Sequence, residues 1–337
     1  MRIMCATTAT PGAPHGYGII AKRIPDYLDK YADGGIARNL QANVGDWDMV
    51  IMISQPIPWV IGCDRPDIIW HTMFEVTPFP RHWADILNRV RAVWAPSQWV
   101  KDELAAIGVS VPIFVVGYGV DCDIFYYAER PEKGPDDTLE FVAWARGIVS
   151  RKHVLAAMKA FLAADIPNAR LTVKVNADDE VAFNSPTITW NGDIVSDTRL
   201  RIIAEDWSRR QIADWLRSAD IGFYLSGGEG FGLMPLEAMA TGLPLIAMPN
   251  TGMLDFMDAS VCINVSGRKA PAHTYIARWG YESSWFVPDH DSVVEAIRWA
   301  SNNRDKLADI GVRAHARASK YTWDSMARDV IANIEKL

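Results

Sequence analysis

The sequence predicts an α/β protein built from two parallel, doubly wound sheets. Three observations lead there. Short apolar runs alternate along the chain with amphipathic stretches of helical period. The alternation stops at a polar break, Glu129–Asp137 (ERPEKGPDD), and then starts again. At 337 residues the chain is long for one core and suits two.

Taken in order, Met1–Thr8 reads as a short buried strand ending in a loop with Gly12, Gly16 and Gly18. An amphipathic helix is expected from about Ile19 to Tyr31. Strand-like runs follow at Met49–Ile53, Ile68–Trp70, Ala92–Ala95 and Ile113–Val116, with helix-like stretches at His82–Val90 and Gln98–Ile107. Beyond the break, strands are expected at Leu139–Trp144, Arg170–Val175, Thr187–Trp190, Ile221–Leu225, Pro244–Ala247 and Ser260–Val265. Helical patterns fill the gaps at Val154–Ala164, Arg209–Ser218, Leu233–Thr241 and Ser292–Asn302. A last helix, Asp324–Leu337, has Thr322 or Asp324 as its N-cap. The domains are therefore drawn at 1–128 and 129–320, with a terminal helical segment at 321–337 expected to pack back toward the first. Two open sheets facing each other put ligands at the carboxyl ends of their strands, in the cleft between them.

Hydrophobic residues at 49% and charged residues at 22% exclude a disordered chain. The net charge is −7, and neither part is basic: Lys and Arg number 10 against 13 Asp and Glu over residues 1–125, and 24 against 28 beyond. A broad nucleic-acid face would have to come from local arrangement. Cys5, Cys63, Cys122 and Cys262 are scattered without metal-ligand spacing and read as buried free thiols of a reducing compartment. The start, MRIMCATTATPGAPHG, breaks into Thr, Pro and Gly before a signal-peptide core, and no run approaches the roughly 18 apolar residues of a spanning helix. A cytoplasmic protein is expected. The 14 tryptophans read as core or interface residues.

The chemistry concentrates in Ser218–Pro249, SADIGFYLSGGEGFGLMPLEAMATGLPLIAMP. A buried strand runs into Ser226-Gly227-Gly228-Glu229-Gly230-Phe231-Gly232, and a series of helix formers starts at once. Glycines let the backbone approach a ligand, and the helix start offers unpaired N–H groups to an anion. Glu229 in the loop and Glu237 on the helix could grip two hydroxyl-bearing parts of one phosphate-linked ligand. By spacing alone, Glu237 suits a solvated helix position equally well, and Glu is common in first turns.

This segment resembles the signature of the retaining glycosyltransferases of family four, the group that includes glycogen synthase-like and mannosyltransferase-like enzymes. Their pattern is matched by Ser226, Glu229-Gly230-Phe231-Gly232-Leu233, Glu237-Ala238-Met239-Ala240, Gly242 and Pro244. The resemblance implies the GT-B fold. It implies that Glu229 bonds donor-sugar hydroxyls, that the Gly230–Leu233 amides face sugar and diphosphate, and that Glu237 holds the ribose hydroxyls. Trp144-Ala145-Arg146 followed by Arg151-Lys152 resembles the family's Gly-Arg-x5-Lys element, with Ala145 in place of the usual glycine. Arg146 and Lys152 would then neutralise a leaving diphosphate, while Arg151 is expected to face solvent. Gly119-Val120-Asp121-Cys122-Asp123-Ile124-Phe125 resembles the crossing between domains, so its Asp-x-Asp is read as linker structure and no metal is implied; Asp178-Asp179 reads as a loop. Gly16-Tyr17-Gly18 resembles the glycine loop beneath the donor. Trp70-His71-Thr72-Met73-Phe74-Glu75, Pro80, Trp83 and Ala95-Pro96-Ser97 resemble a subgroup element. By it His71 sits where a donor-contacting, catalytic histidine is often found, although a lone His at a strand end is more often structural. Glu75 would be acceptor-side.

The reaction implied is metal-independent glycosyl transfer with retention, from a UDP- or GDP-linked sugar and without a cofactor. A cell-envelope or small glycan, lipid-linked or not, ranks first as acceptor. A hydroxymethylated DNA base ranks second, since compact enzymes of this kind also occur among viral DNA-modifying enzymes. Arg81, Arg89, Arg91 and Lys101 could serve DNA, or with Trp83, Trp94 and Trp99 an anionic membrane surface. A GT-B epimerase or sugar-phosphate synthase, or a non-catalytic nucleotide-sugar binder, would use the same donor grip.

Overall fold

The computed structural model describes residues 2–7, 9, 11–12, 16–30, 36–37, 47–56, 67–145, 151–177, 188–190, 193–195, 197–272 and 282–337, with backbone alone at 36–37, 188–190 and 193–195. Its first sheet contains β1 (Ile3–Thr7), β2 (Ile36–Ala37), β3 (Met49–Ile53), β4 (Ile68–His71), β5 (Ala92–Ala95) and β6 (Ile113–Val115). All are parallel, in the order β2-β1-β3-β4-β5-β6. Strands β3, β4 and β5 are buried at every position, as strands of a sheet covered on both faces must be. Around them stand α1 (Gly16–Leu28), α2 (Trp83–Leu87) and α3 (Gln98–Ala106). Helix α3 starts at Ser97, whose hydroxyl accepts from the Val100 amide.

The second sheet is built from β7 (Leu139–Trp144), β8 (Ala169–Val175), β11 (Leu200–Ala204), β12 (Ile221–Tyr224), β13 (Leu245–Ala247) and β14 (Ile263–Asn264). A small antiparallel pair, β9 (Ile188–Trp190) and β10 (Asp193–Val195), stands apart from it. The order β11-β8-β7-β12-β13-β14 is wholly parallel and is that of a dinucleotide-binding sheet. It reverses direction between β7 and β12, and that switch point is where such sheets open a ligand crevice. Helices α4 (Val154–Ala164), α5 (Arg209–Ser218), α6 (Leu233–Ala240), α7 (His290–Asn302) and α8 (Leu307–Ala318) surround it. A hairpin of β15 (Gly267–Pro271) and β16 (Ser284–Pro288) leaves the far edge, and α9 (Trp323–Ile334) ends the chain.

Several expectations shift. Gly16 and Gly18 lie in the first turn of α1, where a loop was expected. The β11 strand, the hairpin and α8 were not foreseen. Helix α9 opens on a Thr322 capping box with Ser325 and packs along α1. The Lys30 ammonium is 3.2 Å from Asp324. Cys5 and Cys262 are buried as expected, but Cys122 is exposed. Met1, Thr8, Tyr31, Cys63, Arg146, Asp178, Asp179 and Thr187 lie outside the described residues.

Candidate active site

The carboxyl ends of β7 and β12 lie side by side, paired through Phe223 and Ala143, and Arg151 and Lys152, further along from β7, meet the loop after β12 at Glu229. The loop after β12 carries Ser226 to Gly232. A Cβ at Gly228 would stand 2.0 Å from the Glu75 carbonyl oxygen, and one at Gly230 would stand 2.7 Å from Met73 Cβ. Glycine at both positions lets the second unit's loop lie directly on residues 73–75 of the first. The Ser97 hydroxyl crosses the same boundary to donate to the Gly230 carbonyl at 2.7 Å.

Glu229 is 7% exposed, and four side chains converge on its Oε1. Lys152 Nζ and Ser226 Oγ are each 2.5 Å away, Arg151 Nη1 is 2.7 Å and the Tyr224 hydroxyl 2.9 Å. Burial alone would push this carboxyl up, but the Arg151 and Lys152 charges and the bonds from Lys152 and Ser226 bring it down to about 2. Burial likewise lowers Lys152 to about 8 against the pull of Glu229. Behind the loop, the Glu229 amide donates to Thr251 Oγ1 at 2.8 Å, and Thr251 holds a left-handed φ of 49°. That conformation is unfavourable for a β-branched residue. Asn250 fixes the corner by donating to the Ser226 and Met248 carbonyls at 2.8 and 2.7 Å.

Gly232, with φ of 107°, ends the loop, and no side chain caps the N-terminus of α6. The Phe231 ring packs among Tyr118, Phe256 and Tyr321, and Leu233 is buried too. Both residues therefore have backbone N–H groups, not side chains, to offer a ligand. Glu237 follows within α6 and is 7% exposed. Burial raises its carboxyl despite the neighbouring Arg209. The Arg209 Nη2 lies 2.9 Å from Glu237 Oε1 and 2.8 Å from Asp121 Oδ2, which Arg23 of α1 also holds at 2.8 Å. Asp121 thus binds two guanidiniums from the two units at the crossing.

Two sequence expectations need correction. Arg151 does not face solvent: its side chain is 13% exposed, reaches Glu229, the Gly228 carbonyl and Ser226, and lies 3.5 Å from Glu75. His71 is fully buried, with Nδ1 3.1 Å from the Trp94 carbonyl and Nε2 2.6 Å from the Tyr118 hydroxyl. Burial lowers it to about 4, so it is a neutral core residue with both ring nitrogens engaged and none turned to a donor. A Cβ at Gly16 would stand 3.4 Å from Met73 Cε, and the Tyr17 hydroxyl bonds the Met73 backbone at 3.1 Å, which joins α1 to the segment beneath the glycine loop. Gly18 is buried and its carbonyl accepts from Gly12. Of the aromatic partners proposed for a basic surface, Trp83 and Trp94 are buried, at 1% and 0% exposed, and Trp99 is half-buried. Among the described residues no three His, Cys, Asp or Glu side chains converge as metal ligands would, and no helix is long and apolar enough to cross a membrane.

The sequence reading missed Tyr224, Arg151, Arg209, Asp121 and the Asn250–Thr251 corner. A cation beside Lys152 and another at a helix start look like ordinary solvated residues until the fold turns them inward.

The family model for "Family 4 Glycosyltransferase in conflict systems" matches residues 100–330. The D-inositol 3-phosphate glycosyltransferase of Jonesia denitrificans is 31% identical over 134 residues, 38% of this chain and 26% of that protein. The lipopolysaccharide core biosynthesis mannosyltransferase LpsB of Rhizobium meliloti is 32% identical over 127 residues, 37% of this chain and 31% of that protein. The matched segment is thus about a quarter to a third of those relatives' length. Anabaena HepE, solved in complex with UDP and glucose, superposes with a TM-score of 0.73 at 17% identity, covering 100% of both chains. The fold is GT-B. With the family model matching most of its length, the chain belongs to the family 4 glycosyltransferases of conflict systems.

Proposed function

We propose that the protein transfers a sugar from a nucleoside-diphosphate sugar, UDP- or GDP-linked, to an acceptor hydroxyl, with the donor held at the carboxyl ends of β7 and β12. The observation that carries this reading is the buried Glu229 carboxylate under Lys152 and Arg151, beside the uncapped start of α6 and the buried Glu237. Among the described residues all four neighbours meet Glu229 at Oε1, which leaves Oε2 to accept from a donor-sugar hydroxyl. Glu237 takes the ribose hydroxyls. The helix start and the basic pair, with Arg146 beyond the described residues, take the diphosphate.

As the bond between the anomeric carbon and the diphosphate oxygen breaks, negative charge grows on the leaving group. Lys152 and Arg151 stand ready to stabilise it without reorganising. From the resemblance to the retaining family four enzymes we read the transfer as retaining: the acceptor oxygen bonds the anomeric carbon on the departing face, and its proton passes to the leaving phosphate. The cations supply charge stabilisation, so the transfer is read as metal-independent. The relatives' activities on an inositol phosphate and on a lipopolysaccharide core favour an envelope or small-glycan acceptor.

A panel of UDP- and GDP-sugars scored for nucleotide release, alone and with small glycans, lipid-linked glycans or hydroxymethylated DNA, tests this. Release from one donor, stimulated by a glycan, retained in EDTA and giving product of unchanged anomeric configuration, is expected. No turnover of any donor would overturn the reading. Complete loss in EDTA with recovery in Mn²⁺ would overturn its metal-free part.

A further inference from the structure

Around Glu237 the polar accounting does not close. Arg209 Nη2 lies within ion-pair distance of Glu237 Oε1, at 2.9 Å, and the same nitrogen is already shared with Asp121. Arg209 Nε and Glu237 Oε1 are both buried, and among the described residues neither has a hydrogen-bond partner. A buried donor and a buried acceptor left open on adjoining side chains are costly, and native proteins seldom leave them so. A hydroxyl group can close both at once, since it donates one hydrogen bond and accepts others.

The guanidinium is held firmly enough to serve a ligand. Nη2 donates to Asp121 Oδ2 at 2.8 Å, Asp121 is itself held by Arg23 at 2.8 Å, and the guanidinium Cζ lies 5.0 Å from the centre of the Phe125 ring. Arg209 opens α5, whose Ser208 hydroxyl caps it from the Gln211 amide, so its backbone is fixed as well.

We propose that Arg209 is a second ribose contact: its Nε donates to a ribose hydroxyl oxygen whose own proton is donated to Glu237 Oε1, and Asp121 positions the guanidinium for it. This rests on the donor reading above. A bare carboxylate would bind any hydroxyl, whereas a donor and an acceptor side by side select a hydroxyl that answers both. Arg209 therefore sets the preference for a ribonucleotide over its deoxy form, and it does so from a residue anchored to the crossing between the units.

The test is calorimetric binding to the intact protein of UDP, GDP and their 2′-deoxy and 2′,3′-dideoxy analogues. The ratio of ribo to dideoxy affinity is taken within each variant, so that any loss of folded protein cancels. In Arg209→Gln the ratio is expected to fall about fivefold or more from that of the unmodified protein, the scale of one hydrogen bond to a charged group. Arg209→Lys keeps the charge beside Asp121 and Glu237 but lacks Nε, and should lose discrimination while keeping its melting temperature. Equal weakening of ribo and dideoxy forms in both variants would assign Arg209 to structure alone and overturn the proposal. An unchanged ratio would overturn it as well. If the unmodified protein binds neither nucleotide, the donor reading itself fails and this inference with it.

Discussion

Lys152 and Arg151 share one carboxylate oxygen, and their contribution should grow as charge develops on the leaving diphosphate. Such an interaction shows in turnover more than in donor affinity. Lys152→Ala is expected to lower kcat by about a hundredfold, the scale of one preorganised electrostatic contact. Arg151→Ala should lower it too, because that side chain is inside the site. Steady-state kcat and KM on the best donor check both, and a fully active Lys152→Ala would remove the diphosphate from this loop. Glu229 supplies a stability test. Its folded carboxyl titrates near 2, below the ordinary 4.5, so the unfolded chain binds the proton first as pH falls. The stabilisation is complete above pH 4.5 and is lost as pH falls through about 2. Melting temperatures over that range should therefore drop less steeply in Glu229→Gln than in the unmodified protein, and parallel curves would contradict the assignment. At this scale the motif was legible but orientation was not: nothing in Arg151-Lys152 says that both neighbours turn inward.

Among the elements, the β15–β16 hairpin has the clearest consequence. It belongs to the second unit, yet Ser284 exchanges two backbone hydrogen bonds with Thr77 of the first, at 2.7 and 3.0 Å. The Ser283 hydroxyl adds a bond to the Pro78 carbonyl. Two residues on, the Phe286 amide donates to the Gly227 carbonyl at 2.7 Å, and the Phe286 carbonyl meets His153 at 2.8 Å. One strand therefore ties the first unit to the start of the glycine loop. Ser284→Pro removes the amide that donates to Thr77, and proline cannot restore it. Hydrogen exchange should accelerate at the Thr77 amide by about tenfold or more in that variant and not in Ser284→Ala. Equal protection in all three proteins would show the tie to be dispensable. The hairpin was invisible beforehand because its two strands are short and 12 residues separate them, with no two-residue turn to announce a pairing.

The whole molecule is held by a core that ignores the unit boundary. Tyr118 of the first unit, Phe231 and Phe256 of the second and Trp323 of the returning helix belong to one buried cluster. The two crossings lie side by side: the Val120 amide donates to the Tyr321 carbonyl, and a Cβ at Gly119 would stand 2.0 Å from the Trp323 amide nitrogen. Trp323 is 1% exposed, and its ring stacks at 6.1 Å from Tyr118. Trp323→Ala should cost about 3–5 kcal/mol, as large aromatic deletions do. The unmodified protein should melt in one calorimetric transition, and two resolved transitions would show that the shared cluster does not couple the units.

Two parallel sheets could be read from the chain because β3, β5 and β12, and β4 up to His71, are runs without a charged residue, a pattern set by burial on both faces of a strand. The glycine loop and Glu229 and Glu237 could be read because their spacing lies within one strand–loop–helix segment. Everything that depends on distant partners had to wait for the fold. His71 looks the same in sequence whether it faces a cleft or the Tyr118 hydroxyl, 47 residues away. Asp121 reads as a linker residue until Arg23, 98 positions earlier, and Arg209, 88 positions later, arrive at its carboxylate. Local pattern determines which segments bury their side chains, because propensity and periodicity act over a few residues. Which charges meet across the cleft is decided by long-range packing, since Coulomb and hydrogen-bond partners are chosen by proximity in space and not along the chain.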